Sequence, residues 1–414
     1  MSIVVVGAGL AGLACARRLQ EAGRDVLVLE ASDGVGGRVR TDRHGGFLLD
    51  RGFQVLLTGY PAAQAQLDLD ALDLQAFRPG VVIQLADGPT RVADPFREPG
   101  AVVDGLRSPA LTIVDGVRLL ALRASVQLPG GQSVAGRPQT TTLARLRDRG
   151  FSDTVRERFF APFLAGVFFD EGLSTSSRMF ELVFRSFFAG DVAVPAAGMG
   201  ALTQQLADRL SPDTVRLGAP VWTVEPGRVV LDDEEVEAEH VVVATDGAAA
   251  QHLLGDDRIQ VAPGRGTATL WWQAPASPVG AADLVLDGEG TGPVNNLTVM
   301  SDVAPTYAPR GQHLVCGSVV GVPAEGDAEL DAAARRQLRG WYGMQVDAWQ
   351  LLRVDRIPWA QPRQDPSDLP SLARPVAVDR GLWVCGDHRD TASIQGALVS
   401  GRRTAAAILS DAGT

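Results

Sequence analysis

Four residues near the start of the chain have the identity and spacing needed to hold a phosphate-containing ligand. Gly7, Gly9 and Gly12 follow a short apolar run, and Glu30 stands 18 residues after Gly12. In such a pattern the first glycine permits a tight turn, the second lets backbone approach a pyrophosphate, and the third lets a helix pack close to a strand. Glu30 is placed to accept hydrogen bonds from the hydroxyls of an adenosine ribose, which a 2′-phosphate would repel. The pattern predicts dinucleotide binding; the alternative is a turn that serves only βαβ packing.

The flanking residues predict the elements that position these four. Residues 3–6 are an apolar run typical of a buried parallel strand, and residues 26–29 predict a second strand that ends at Glu30. Between them, a helix is expected that carries Leu10, Leu13, Ala14 and Leu19 and runs to Gly23. Its free N–H groups and its dipole would then face the phosphates. Strand, turn, helix and acid therefore all fall where dinucleotide binding requires them.

A second glycine pair follows the acid. Gly36 and Gly37 precede Arg38, which together offer bare backbone for close approach and a guanidinium for charge. A surface turn with solvated arginines is the alternative. Because the first motif is present, a second contact with the diphosphate is the interpretation that we favour.

These residues, with two further stretches, resemble the flavin-dependent amine oxidase superfamily, which also holds protoporphyrinogen oxidases and carotenoid desaturases. One stretch is Phe47 to Gln54; the other is Cys385-Gly386-Asp387 followed by Ser393 to Gly401. The resemblance covers both ends of the chain and the glycine-rich return near residue 198, and it is diffuse elsewhere. It implies that the dinucleotide is FAD. Some members attach flavin to a cysteine near the position of Ser393, and none stands there, so we expect non-covalent FAD.

The resemblance also implies roles for single residues. Gly52, Phe53 and Gln54 would pass along the isoalloxazine ring, and Asp387 would hydrogen-bond the ribityl or pyrophosphate part. The backbone of Val221 would meet the adenine, with an ordinary strand residue as an equal alternative. The predicted cofactor-binding residues are Gly7, Gly9, Leu10, Ala11, Gly12, Glu30, Ala31, Gly36, Gly37, Arg38, Gly52, Phe53, Gln54, Val221, Ala244, Thr245, Gly386, Asp387, Ser393, Ile394, Gln395 and Ala397.

The expected fold class is α/β, a Rossmann-like FAD-binding domain with an inserted α+β substrate domain that carries a helical subregion. We place the FAD-binding domain at residues 1–75, 195–255 and 375–414, and the substrate-binding domain at residues 76–194 and 256–374. The helical pattern of the insertion has a break at Pro129-Gly130-Gly131. Residues 358–375 are interpreted as a proline-punctuated connection without recognisable chemistry.

Composition excludes several classes of function. A formal net charge of −11 argues against a nucleic-acid partner. All 38 basic residues are arginine, which excludes a lysine Schiff base and a Walker-type phosphate loop. The three cysteines and five histidines lack metal-ligand spacing, so we predict reduced, buried thiols and no metal. The chain enters its first strand at once and has no membrane-spanning apolar run, so a cytoplasmic protein is expected.

Most phenylalanines lie in residues 159–169 and at Phe180, Phe184, Phe187 and Phe188. Such clusters are usually core. The resemblance to protoporphyrinogen oxidases and carotenoid desaturases offers another interpretation, in which some of these side chains line a long apolar substrate cavity. Residues 159–169 are too few to span a bilayer but are apolar enough to touch its surface. Peripheral membrane contact is therefore an open alternative.

The resemblance implies an enzyme in which FAD carries the redox step by hydride transfer to flavin N5. Many amine oxidases of the superfamily use a lysine that reaches N5 through water, and this chain has none. We therefore favour desaturation, dehydrogenation or isomerisation over amine oxidation. The expected substrate is small and apolar and resembles a carotenoid, an isoprenoid or a porphyrinogen. A non-catalytic prenyl-protein carrier of the Rab-escort type shares the architecture, but it has no reason to keep a complete diphosphate cradle. Substrate identity, electron acceptor and oligomeric state are left open.

Overall fold

A computed structural model describes residues 2–101, 108–127, 134–255, 257–369 and 371–411, which build two large sheets with helices around them. The predicted break at Pro129-Gly130-Gly131 lies outside these residues. The strands are β1 Ser2–Val6, β2 Asp25–Leu29, β3 Thr41–His44, β4 Phe47–Asp50, β5 Leu56–Leu57, β6 Leu74–Ala76, β7 Gly80–Leu85, β8 Gly88–Ala93, β9 Val192–Pro195, β10 Val215–Arg216, β11 Thr223–Glu225, β12 Arg228–Val230, β13 Glu235–Glu237, β14 His240–Val243, β15 Gly264–Ala274, β16 Leu284–Asp287, β17 Asn296–Val299, β18 His313–Val320, β19 Gln350–Pro362, β20 Ala377–Asp379 and β21 Leu382–Val384.

The helices of the described residues are mostly short. The α-helices are α1 Leu10–Glu21, α2 Pro61–Gln66, α3 Ile113–Gln127, α4 Thr142–Asp148, α5 Asp153–Val155, α6 Ala161–Phe168, α7 Ser177–Ala189, α8 Ala201–Ala207, α9 Gly247–Leu254, α10 Met300–Val303, α11 Asp327–Tyr342 and α12 Ile394–Asp411. A π-helical turn at Arg156–Phe160 joins α5 to α6. None of these helices is long and apolar enough to cross a membrane.

The first sheet has six strands in the order β10-β2-β1-β14-β21-β20, parallel from β10 to β21. Its central strands are apolar because both of their faces are covered, and residues 3–6 and 240–243 are all buried. Helix α12 packs against α1 so closely that a Cβ on Gly401 would lie 2.2 Å from the carbonyl oxygen of Ala11. The two ends of the chain therefore meet beside the glycine turn, and the expected α/β class is confirmed.

The second sheet has seven strands in the order β19-β15-β18-β17-β16-β7-β8. Only β16 and β7 pair in parallel; the other neighbours are antiparallel. Its strands come from residues 80–93 and 264–362, whereas those of the first sheet come from residues 2–29, 215–243 and 377–384. The chain thus passes from the first sheet to the second and back twice, while the exact domain limits stay a prediction.

The structure corrects one expectation about a segment of the chain and decides between two alternatives for another. The interpretation of residues 358–375 as a connection is wrong for residues 358–362, which continue β19. Because β19 is an edge strand, a proline within it removes no hydrogen bond that the sheet needs. In residues 159–169, Phe160, Leu164 and Phe168 are buried in a phenylalanine-rich core, which favours core over bilayer contact for this segment.

Candidate active site

A cavity of about 690 Å³ runs from the glycine turn after β1 to the phenylalanine cluster of the helical region. The first sheet, β19 of the second sheet and helices α3, α6 and α7 all contribute to its wall. Most predicted cofactor-binding residues line this cavity: Gly7, Gly9, Leu10, Ala11, Glu30, Gly36, Gly37, Arg38, Gly52, Phe53, Gln54, Ala244, Thr245, Gly386, Asp387, Ser393, Ile394 and Ala397. Residues that lie far apart in the sequence are thus brought to one pocket.

The three glycines of the turn meet different surroundings. A Cβ on Gly12 would lie 2.0 Å from the carbonyl oxygen of Gly7, and a Cβ on Gly7 would lie 2.9 Å from that of Ala244. Both positions are closed by the protein itself. A Cβ on Gly9 would meet nothing nearer than Gly36 O at 4.0 Å, so the space beside Gly9 belongs to the cavity.

The N-terminus of α1 faces this open space. Its N-cap is Gly9, no side chain caps the helix, and no acidic residue lies in its first turn. The first N–H groups of a helix have no partner within the helix, and the dipole places partial positive charge there. The end of α1 is therefore free to receive a diphosphate.

Glu30 ends β2 beside the glycine turn. Its carboxylate accepts hydrogen bonds from the N–H of Ala8 at 2.7 Å and from the N–H and hydroxyl of Ser32 at 3.0 Å and 2.8 Å. A carboxylate offers about four acceptor positions, so these bonds fix its orientation and leave capacity for a ligand hydroxyl. Glu30 thus lies in the cavity wall with acceptor capacity left for a ligand.

Arg38 and Asp387 connect the two ends of the chain. Two hydrogen bonds join them, from Nη2 to Oδ1 at 2.7 Å and from Nη1 to Oδ2 at 2.8 Å, and Nη1 also donates to the carbonyl oxygen of Ala360 at 2.8 Å. Both residues were predicted to contact the cofactor separately. The ion pair holds the guanidinium at the cavity, because Arg38 and Asp387 are both in its wall. The neighbouring His388 is buried, which lowers its pKa to about 3, so its ring is neutral at physiological pH.

Gly52, Phe53 and Gln54 form a strip along the cavity. Gly52 has φ +83°, and a Cβ there would lie 2.8 Å from Cδ1 of Ile357, so a side chain would collide with β19. Gln54 ties the strip to the segment before β3, because its Nε2 donates to the carbonyl oxygens of Arg38 at 2.7 Å and Arg51 at 2.8 Å. These two bonds fix the orientation of the Gln54 side chain.

Asp50, the last residue of β4, comes two residues before this strip and has a buried carboxyl. It accepts hydrogen bonds from the hydroxyls of Thr41 and Tyr307 and from the N–H of Met199. Burial raises the pKa of Asp50 to about 6, although these hydrogen bonds act in the opposite direction. Tyr307 comes from the segment between β17 and β18, so this network joins the small β3-β4 sheet to the second large sheet.

Four predicted residues are not in the cavity wall: Gly12, Ala31, Val221 and Gln395. Gly12 acts through packing, as described above. The side chain of Gln395 is turned away, since its Oε1 accepts a hydrogen bond from the N–H of Ala62 at 2.8 Å. Val221 packs on the opposite side of the first sheet with the core around Val224 and Val229.

Other wall residues were missed by the sequence reasoning. They are Tyr60 before α2, Thr267 on β15, Asn296 on β17, and Ala360 and Gln361 on β19. Each is a single polar or small residue within an ordinary strand or turn. Nothing in the sequence distinguishes them, because their position depends on how the second sheet meets the first.

The phenylalanine cluster forms the far part of the cavity wall, as one of the two interpretations anticipated. The side chains that line the cavity there are Phe159, Phe163, Phe168, Phe169, Phe184, Phe187 and Phe188. They also pack against one another, with ring centroids 5.7 Å apart for Phe159 and Phe163 and 5.3 Å apart for Phe163 and Phe187. The same phenylalanine cluster therefore forms both part of the core and part of the cavity wall.

Residues 10–409 match the family of flavin containing amine oxidoreductases. The chain belongs to this family. Among curated relatives, polyamine oxidase 1 of Oryza sativa subsp. japonica is 29% identical over 67% of this chain and 57% of its own length. Phytoene dehydrogenase of Streptomyces griseus is 43% identical over 21% of this chain and 18% of its own length. The chain spans less than two thirds of the length of these relatives.

Solved structures agree on the fold. An oxidoreductase from Methanosarcina mazei aligns with a TM-score of 0.76 over 99% of this chain and 100% of that chain, at 18% identity. Membership of the family implies a flavin cofactor, FAD. The residues present fit it: the end of α1 is uncapped, Gly9 leaves open space, and Glu30 and Arg38 both line the cavity.

Proposed function

We propose that this oxidoreductase desaturates, dehydrogenates or isomerises an apolar substrate of the carotenoid, isoprenoid or porphyrinogen type. The observation that carries the proposal is the phenylalanine-lined cavity that continues directly from the glycine turn and Arg38. An apolar substrate gains roughly 25 cal/mol for each Å² of apolar surface that leaves water. FAD, when bound, supplies the acceptor for the hydride that such a reaction removes. The same aromatic wall excludes water from the reacting carbon.

The charges of the cavity support an apolar substrate. Among the described wall residues, the carboxylates are Glu30, Asp94, Asp246 and Asp387, and each has a partner. Asp94 pairs with Arg123 at 2.6 Å, and Asp246 caps α9 by accepting a hydrogen bond from Ala249 N–H at 3.0 Å. A substrate ammonium at Asp94 or Asp387 would have to compete with the arginine that is already paired there, and a buried charge without a counter-ion is costly.

For the cofactor, we propose that the end of α1 and Arg38 hold the diphosphate and that Glu30 holds the adenosine ribose. Gly52, Phe53 and Gln54 would lie along the ring. Binding would be non-covalent, because the three cysteines, Cys15, Cys316 and Cys385, are all buried and none lines the cavity. The proposed domain limits are those given from the sequence.

Anaerobic bleaching of the flavin tests the substrate class. The FAD-loaded protein is mixed without oxygen with a polyene, a porphyrinogen or an amine, and absorbance near the flavin maximum is followed. We expect bleaching with a polyene or a porphyrinogen and none with putrescine or cyclohexylamine. A variant that narrows the aromatic part, Val167→Phe, should slow bleaching and leave flavin binding unchanged, because Val167 lies in the wall but not beside the glycine turn. Bleaching by amines alone would refute the proposal.

Amine oxidation is the second candidate, and one observation favours it. The similarity to a rice polyamine oxidase extends over 67% of the chain, and phenylalanine faces can hold a cation without a carboxylate. A prenyl-protein carrier is a third interpretation of the architecture. It predicts a protein that shows no flavin absorbance even after FAD is added, so the spectrum of the purified protein separates it from both enzymes.

A further inference from the structure

Two amide side chains lie in the cavity wall beside the phenylalanine cluster. Asn296 is on β17 and Gln361 is on β19, and both line the cavity together with Phe163 and Phe168. Each amide uses part of its hydrogen-bonding capacity within the protein and leaves the rest unused. A polar group that is held in an apolar wall without a partner indicates a ligand that supplies one.

The orientation of the Asn296 amide is fixed by its neighbour. Nδ2 of Asn295 donates to the carbonyl oxygen of Pro162 at 2.8 Å and to Oδ1 of Asn296 at 3.1 Å. Because a carbonyl oxygen can only accept, the atom of Asn295 that faces both groups is its nitrogen, and the atom of Asn296 that faces Asn295 is its oxygen. Asn296 is 4% exposed, and among the described residues no group accepts a hydrogen bond from its Nδ2. The adjacent Leu297 packs in the core on the opposite face of the sheet, so the two free N–H donors of Asn296 face the cavity.

The amide of Gln361 has the complementary arrangement. Its Nε2 donates to the carbonyl oxygen of Val167 at 3.0 Å, so its Oε1 is the atom left for another group. Val167 is in the last turn of α6, where carbonyl oxygens have no partner within the helix, and this explains why the nitrogen faces the helix. Within the described part of the chain, nothing donates a hydrogen bond to Oε1 of Gln361. The wall thus offers a free donor on Asn296 and a free acceptor on Gln361.

Helix α6 brings the two amides to the same part of the wall. A Cβ on Gly166 would lie 2.9 Å from Oδ1 of Asn296, and Gln361 bonds to the next residue of the helix, Val167. Phenylalanines of the same helix line the cavity as well. A donor and an acceptor are therefore close together within an otherwise aromatic surface.

The chemistry of the two amides selects their ligand group. Both amides are uncharged, so neither supplies the counter-ion that a buried charged group would need. An amide N–H matches an acceptor and an amide oxygen matches a donor. A hydroxyl is the smallest neutral group that is both.

We propose that Asn296 and Gln361 determine substrate specificity by binding a hydroxyl group on the otherwise apolar substrate. Asn296 donates to the hydroxyl oxygen, and the hydroxyl donates to Oε1 of Gln361. The inference rests on the proposed function, because it adds one feature to the apolar substrate named there. It separates hydroxylated polyenes and isoprenoids from hydrocarbons of the same size, because a hydrocarbon would leave both amides without a partner in the complex.

Ligand binding tests the proposal without any turnover. The FAD-loaded protein is titrated with three polyenes of one skeleton, and polyene fluorescence is followed. The probes are retinol, which donates and accepts, its methyl ether, which only accepts, and the hydrocarbon that lacks the oxygen. We expect the wild type to bind retinol most tightly and the hydrocarbon roughly tenfold or more weakly. Asn296→Leu should reduce the affinity for retinol and for the ether, whereas Gln361→Met should reduce the affinity for retinol alone.

Ser318→Ala is the matched control. Ser318 lies opposite Asn296 in the sheet register, and its buried hydroxyl has no partner among the described residues, but it is not in the cavity wall. Ser318→Ala should therefore bind the three polyenes like the wild type. Thermal unfolding and FAD titration establish that each variant folds and holds the cofactor. Gln361 is only partly buried, so Gln361→Met keeps the test available if Asn296→Leu does not fold.

A wild-type protein that binds retinol no more tightly than the hydrocarbon would overturn the proposal. A loss of FAD affinity in Asn296→Leu would also overturn it, because the amide would then belong to the cofactor. Flavin bleaching keeps the two proposals apart. A preference for retinol that depends on both amides supports this inference even when no polyene bleaches the flavin. Polyenes that bleach the flavin but bind with equal affinity would refute the inference and leave the proposed function standing.

Discussion

Replacing Asp50 by asparagine should remove a pH dependence of stability that originates at this buried carboxyl. Asp50 is fully buried, and burial raises its pKa from an ordinary 3.8 to about 6. An acid whose pKa is higher in the folded chain than in the unfolded chain stabilises the fold while it is protonated. That contribution is complete below about pH 4 and is lost as the pH rises through 6. The wild-type protein should therefore become less stable across this range.

The magnitude follows from the two pKa values. With 3.8 in the unfolded chain and about 6 in the folded chain, the free energy of unfolding is expected to fall by about 1.4 kcal/mol between pH 5 and pH 8. The asparagine introduced by Asp50→Asn would carry no charge at either pH. Its amide oxygen can accept from Thr41 and Met199, and its amide nitrogen can donate to the Tyr307 oxygen, which leaves one N–H without a partner at about 1–3 kcal/mol. This last penalty does not depend on pH.

Urea unfolding of the FAD-loaded protein at pH 5, 6 and 8 measures the effect. The difference in unfolding free energy between Asp50→Asn and wild type should shift by about 1.4 kcal/mol in favour of the variant from pH 5 to pH 8. Asp115→Asn is the control. Burial alone would raise the pKa of Asp115, but hydrogen bonds from Ser152 and Thr112 outweigh it and the pKa is lowered, so its difference from wild type should be constant over this range. A constant difference for Asp50→Asn would refute the reasoning.

Three further predictions concern the cofactor cradle and are checked by flavin fluorescence titration together with thermal unfolding. Gly12→Ala should destabilise the apoprotein, because its Cβ would lie 2.0 Å from Gly7 O. Gly9→Ala should leave stability unchanged and weaken FAD binding, because only the cavity lies beside it. Equal effects of the two variants would contradict this prediction. Glu30→Gln should weaken FAD binding roughly tenfold or more, since an amide N–H would face the donors on Ala8 and Ser32. Arg38→Met should weaken FAD binding more than Glu30→Gln does, because it also leaves Asp387 buried without its ion pair. An unchanged affinity of Arg38→Met for FAD would argue against a contact between Arg38 and the diphosphate.

The local parts of the site could be predicted because their physics is local. Gly7, Gly9 and Gly12 with Glu30 specify a turn, a helix start and an acid within one βαβ unit. Apolar runs specify the buried strands of the first sheet in the same way. The family resemblance assigned Gly52 to Gln54 and Asp387 to FAD, which stays a prediction, and the structure has these residues in the cavity wall.

The way in which distant segments meet could not be predicted from local patterns. Arg38 and Asp387 were each assigned to the ligand, yet they also bind one another across 349 residues of sequence separation. Residues 358–362 had no visible chemistry, but the strand that they form places Ala360 and Gln361 in the wall. The phenylalanines were compatible with core or cavity, because composition records that a side chain is apolar and not which of its sides faces empty space. Short-range spacing along the chain specifies the cradle, whereas the packing of one sheet against the other creates the cavity.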